Sequence, residues 1–165
     1  MKKLCDACPF PENPAKADAR LHINSFLIGC LLTVLTLIWT LNPEKIDLII
    51  ISQLVLAIPL IFFASLSFSK IGYKKDHKLW DSFGWYTNNI GYLLFLNAVG
   101  LMVAFFSFRI LALVYFGLVI LLSSSYYIIN IISQPGTLKE HLSKLILFIL
   151  ILVLLGVVPI IRGIV

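Results

Sequence analysis

The chain has 165 residues, of which 60% are hydrophobic and only 13% charged, with a mean hydropathy of +1.00. Soluble domains are roughly half apolar and a quarter charged, so this composition cannot cover a water-facing exterior and makes the bilayer the solvent. One domain fits the length, no room is left for a separate soluble catalytic domain, and the net charge of +5 must be read through where its Lys and Arg fall.

Residues 1–21 are polar, with Lys2, Lys3, Asp6, Glu12, Lys16, Asp18 and Arg20 among Pro9, Pro11 and Pro14. A cleaved signal would place its apolar run directly after a basic start, so the first apolar run is expected to be a retained span behind a cytosolic tail. No apolar segment precedes Cys5 or Cys8, which argues against a lipoprotein. The two form a CxxC, half of a closed zinc site; His22, His77, His141 or a second subunit would have to complete it. The nearby prolines favour an extended tail over a redox helix start. Cys5 and Cys8 are therefore weak metal candidates, and no metal or other cofactor is expected.

A hydrocarbon core about 30 Å thick needs about 20 apolar residues per helix. Five stretches meet this, 24–41, 48–68, 88–107, 110–132 and 145–161, so residues 22–165 read as one transmembrane domain. Pro43 closes the first connection, and Pro135-Gly136 marks the fourth as a turn. The third connection, Ser107-Phe108-Arg109, has neither Gly nor Pro. A single helix over 88–132 would be about 67 Å long at 1.5 Å per residue, so the chain must reverse; Arg109 is the expected marker and Gly100 the alternative.

Alternating the connections puts Lys2, Lys3, Lys16, Arg20, Lys70, Lys74, Lys75, Lys78, Lys139 and Lys144 on one side, against Lys45, Arg109 and Arg162 on the other. This positive-inside bias predicts an all-α integral membrane protein: a compact bundle of five transmembrane helices with the N-terminus cytosolic and the C-terminus outside. The cell membrane is the expected location. The second connection sets Lys70, Lys74, Lys75 and Lys78 beside Trp80, Trp85 and Tyr86, a composition for anionic headgroups at the cytosolic face. Its charge is thereby explained without nucleic acid. Asp81 could cap the third span's first turn or pair with Lys78 or His22.

In lipid, small and hydroxyl or amide residues mark helix contacts. At 100° per residue, His22, Ser25, Gly29, Thr33, Thr36 and Thr40 share one face of span one, and Asn89, Asn97, Gly100, Ala104 and Ser107 one face of span three. These stripes are expected to meet as the central contact of the bundle. Gln53 and Asn130 add amides on spans two and four, while span five is apolar apart from Gly156 and Pro159 and is expected at the lipid-facing periphery.

No Asp, Glu, Lys or Arg falls within the middle of a span, which lowers proton relay, ion coupling and voltage sensing. Ser123-Ser124-Ser125 lacks an elbow motif and a base, and no phosphate loop is present. An enzyme is not expected. The expectation is a non-enzymatic membrane subunit, acting through its helix faces as a homo-oligomer or with another membrane protein. The alternative is a pore or carrier for an uncharged or weakly polar solute, lined by Thr33, Thr36, Gln53, Asn97 and Asn130.

Overall fold

Each apolar run closes its own backbone hydrogen bonds by coiling into a helix, the only open-ended way to cross a bilayer. The computed structural model describes residues 14–41, 46–71, 77–133 and 138–164. Its long helices are α1 (Pro14–Leu41), α2 (Leu48–Ile71), α3 (His77–Phe105), α4 (Arg109–Ser133) and α5 (Leu138–Leu152). The last continues through a π-helical turn, Val153–Val157, into a short α6, Val158–Ile161. Five segments are long and apolar enough to span a membrane, and no strand occurs among the described residues. α1 and α3 start well before their apolar runs. Pro14 suits a first helical position, where a backbone N–H would be unpaired in any case.

α2 and α3 share the most extensive interface; α1 packs on α2, α4 on α3, and the α5–π–α6 segment on α3 and α4. The α2–α3 seam is antiparallel. Gly84 lies against Ser67 and Phe68, and Gly91 against Leu60 and Ile61. On α2 the buried residues Ile50, Leu54, Ala57, Ile61, Ala64 and Phe68 alternate four and three apart, the spacing of a heptad seam. A Cβ at Gly91 would stand 2.6 Å from Ile61 Cγ1, so glycine there sets how closely the two backbones approach.

The expected central pairing of spans one and three is corrected by this arrangement. α1 buries Asn24, Leu31 and Ile38, seven residues apart, whereas Ser25, Gly29, Thr33, Thr36 and Thr40 are exposed on its outward side. Their hydroxyls are already satisfied: Ser25 donates to Leu21 O (2.9 Å), Thr33 to Gly29 O (2.9 Å), Thr36 to Leu32 O (2.8 Å) and Thr40 to Thr36 O (3.0 Å). A hydroxyl bonded to its own helix needs no neighbouring helix.

Span five is not peripheral on its inner side. Leu152, Gly156, Pro159 and Ile160 are buried, with Gly156 wedged against Phe116 of α4 and Asn97 of α3. Between α3 and α4 the chain reverses at residues 106–108, just ahead of Arg109. Phe106 N donates to Met102 O (3.2 Å), Ser107 N to Ala104 O (3.0 Å), and Ser107 takes a left-handed φ of 70°. Gly100 lies inside α3, packed on Phe116 and Tyr115.

Candidate functional site: a buried amide centre at the π turn

Proline at position 159 removes a backbone N–H and crowds the carbonyl four residues earlier. That carbonyl belongs to Leu155, inside the π turn. Gln53 Nε2 of α2 donates to it at 3.0 Å, supplying a hydrogen bond that residue 159 cannot. The neighbouring Gly156 has no side chain to keep α3 away: a Cβ there would sit 2.7 Å from Asn97 Oδ1 and 2.5 Å from Phe116 Cε1. Two amides from different helices therefore bear on one peptide, Leu155–Gly156.

Asn97 is 0% exposed and Gln53 4%. Asn97 Oδ1, Asn97 Nδ2 and Gln53 Oε1 are buried without a hydrogen-bond partner. Phe116 closes the centre, its ring held between Gly100 and Gly156, while Tyr115 of α4 donates to Leu96 O of α3 at 3.2 Å. At 1.5 Å per residue, Gln53 lies about 8 Å inside the start of α2 and Asn97 about 12 Å inside the end of α3. The centre thus sits towards the end of the bundle that carries the α1–α2 and α3–α4 connections.

A second polar network lies towards the opposite end, where Asn88 Oδ1 of α3 is also buried without a partner. Asn24 of α1 is 0% exposed; its Nδ2 donates to Ser65 Oγ of α2 (3.1 Å) and its Oδ1 accepts from Tyr92 of α3 (2.7 Å). Ser65 in turn donates to Ile61 O at 2.9 Å, and the buried Ser67 hydroxyl donates to Trp80 O. Arg20 pairs with Asp81 at 3.4 Å and lies 4.8 Å over the Phe68 ring. Asp81 thus meets Arg20, while His22 Nε2 stands 3.8 Å from Asp18. Asn24 and Arg20 each tie α1 to both α2 and α3. Sequence reasoning missed the role of Asn24, whose only signal is an amide seven residues ahead of Leu31 at the edge of an apolar run.

The remaining sequence-selected residues separate by surface. Nothing lies within 4 Å of the place a Cβ on Gly29 would occupy, and Ala104 is buried on α3. Asn89 donates Nδ2 to Trp85 O at 2.7 Å; Asn130 is half-buried near the end of α4, far along the helix from Phe116. Trp85 and Tyr86 stack edge to face at 5.0 Å, and Lys144 Nζ lies 4.3 Å over the Trp85 ring. With Asn89, Tyr127 and Phe148 they line a shallow groove between α3, α4 and α5. Lys70 is exposed and Trp80 half-buried. Lys74, Lys75, Cys5 and Cys8 lie outside the described residues, and of Lys78 only its place in α3 is described.

Chemically, the amide centre is neutral. It offers hydrogen-bond donors and acceptors and no acid, base or nucleophile, and among the described residues no three His, Cys, Asp or Glu side chains gather into a metal site. The fold and this centre define a multi-pass α-helical membrane protein with a polar knot inside its bundle. Comparison with protein-family models, curated proteins and solved structures gives no match for the chain.

Proposed function

We propose that the chain is a non-enzymatic membrane subunit that works by helix association, with α1 as the docking helix. The observation that carries this reading is the outward Ser25–Gly29–Thr33–Thr36 face, open at Gly29 and free of any bundle contact there. Small residues let a second helix approach closely, which is what drives association in lipid. The occupant is a transmembrane helix, from a second copy or from another membrane protein. The clustering of basic residues at the α2–α3 and α4–α5 ends supports a cytosolic N-terminus in the cell membrane, with anionic headgroups around Lys70, Trp85 and Tyr86.

The test is purification in mild detergent followed by size analysis, with Gly29→Leu as the variant. An assembly that Gly29→Leu weakens is expected; a strict monomer with no copurifying partner overturns the proposal.

A second reading, a carrier for an uncharged solute, is favoured by one observation: Gln53 bonds the π turn and Asn97 lies against it, each with amide atoms to spare. Thr33 and Thr36 face outward and Asn130 lies near the other end of α4, so the lining contracts to Gln53 and Asn97. Uptake into proteoliposomes that Asn97→Leu leaves unchanged would sink this reading.

A further inference from the structure

The shallow groove between α3, α4 and α5 has two ends of different chemistry. Trp85, Tyr86 and Lys144 stand at one end, Leu93 and Ile151 at the other. Trp85 and Leu93 are separated by about 12 Å along α3, and Lys144 and Ile151 by about 10 Å along α5, at 1.5 Å per residue. Half of a hydrocarbon core is about 15 Å, so the groove runs through most of one leaflet. Its floor is the Tyr127 ring, 5% exposed and 6.5 Å from the ring of Phe148. Its rims face outward, with Tyr86 45% and Leu147 40% exposed.

We propose that this groove holds one anionic phospholipid, its phosphate beside Lys144 and one acyl chain lying along Leu147, Phe148 and Ile151. The groove opens onto the bilayer, so the chain lies in it from outside and no enclosed chamber is needed. Charge complementarity selects the headgroup. Lys144 Nζ lies 4.3 Å over the Trp85 ring, and an aromatic face steadies an ammonium without cancelling its charge. The apolar stem of the lysine follows the groove wall while its head stays at the polar end. A zwitterionic lipid brings a cation of its own to the same place and gains less.

A partner helix is the poorer occupant. Close approach of helices in lipid needs small residues, and the walls here carry Trp85, Tyr86, Leu147 and Phe148, unlike the open Gly29 face of α1. A flexible chain settles between bulky side chains where a rigid helix is held off. Trp and Tyr anchor at the headgroup level, which places the Lys144 end of the groove beside the phosphates and the Ile151 end among the acyl chains.

This inference rests on the proposed placement of the α4–α5 end at an anionic leaflet, and it stands whether or not α1 docks another helix. Its test reads lipid retention without reference to sidedness or assembly, so the readings fail separately. The full chain in mild detergent is exposed to equal amounts of phosphatidylglycerol and phosphatidylcholine, and the lipids that stay bound are weighed by native mass spectrometry. The expected result is one phosphatidylglycerol retained per chain in preference to phosphatidylcholine. Lys144→Gln should lower that preference about fivefold, the factor one basic residue contributes near anionic headgroups; Lys144→Arg should keep it, and so should Lys70→Gln, on the exposed end of α2 outside the groove. Equal retention of the two lipids, a preference that Lys144→Gln leaves unchanged, or one that Lys70→Gln lowers as much, overturns the proposal.

Discussion

Ser107 is the residue that lets α3 turn into α4 without glycine. Its φ of 70° lies in the left-handed region, which costs an ordinary L-residue about 1–2 kcal/mol. Ser107→Gly should therefore raise the thermal midpoint in detergent, by the equivalent of about 0.5–1 kcal/mol once the greater freedom of glycine in the unfolded chain is counted. The sequence led to the reversal through Arg109 and chain length, but a serine in a left-handed turn has no signature that hydropathy or turn composition could carry. At Leu155 the legible signal was Pro159, which announces an unpaired carbonyl four residues back; what could not be read was that Gln53, 102 positions away, reaches it. Gln53→Leu should destabilise by about 1–3 kcal/mol. In a Pro159→Ala background, where residue 159 regains its N–H, the same change should cost less. Equal losses in both backgrounds, measured as a double-mutant cycle, would remove the link between the two residues.

Among the helices, glycine positions separate into two kinds. Gly91, Gly100 and Gly156 are contacts, with Ile61 or Phe116 where a Cβ would go, whereas Gly29 and Gly117 face open space. Gly156→Ala should lower the thermal midpoint by the equivalent of about 1–3 kcal/mol, and Phe116→Leu should recover part of that loss by vacating the collision. Gly117→Ala should leave it unchanged or raise it slightly, since alanine is the better helix former by about 1 kcal/mol. Periodicity alone identified the stripe of Asn97, Gly100 and Ala104 on α3, yet assigned it the wrong neighbour. Polar stripes say which face differs from lipid; they do not say whether hydroxyls are spent on their own carbonyls, as on α1, or glycines are filled by another helix, as on α3. The buried face of α1 is instead Asn24, Leu31 and Ile38, two of them indistinguishable by type from the exposed Leu32 and Leu37.

At the level of the whole molecule, five spans were legible because about 20 apolar residues in a row admit few other structures. How the five pack was not, because nearly every face of such a chain is apolar and the seams are set by a few small or amide residues. Orientation rests on charge. Reporters fused to the two termini should fall on opposite sides of the membrane, with the N-terminal one in the cytosol. Replacing Lys70, Lys74, Lys75 and Lys78 together by glutamine should yield a mixed population. Unchanged orientation would show that the remaining basic residues suffice.

The bond between Gln53 and Leu155 also orders events during synthesis. α2 is made and inserted before α5, and the acceptor for the Gln53 amide emerges 102 residues later. Until then the polar end of Gln53 must find water, lipid headgroups or a helper protein. α5 in turn enters the bilayer with no N–H at Pro159 to serve Leu155 O, a carbonyl to which Gln53 of the assembled α2 donates. Closure of this bond therefore waits on α5: a product truncated before residue 155 keeps four hydrophobic spans but leaves the Gln53 amide without this acceptor, a mark by which quality control in the membrane can recognise it.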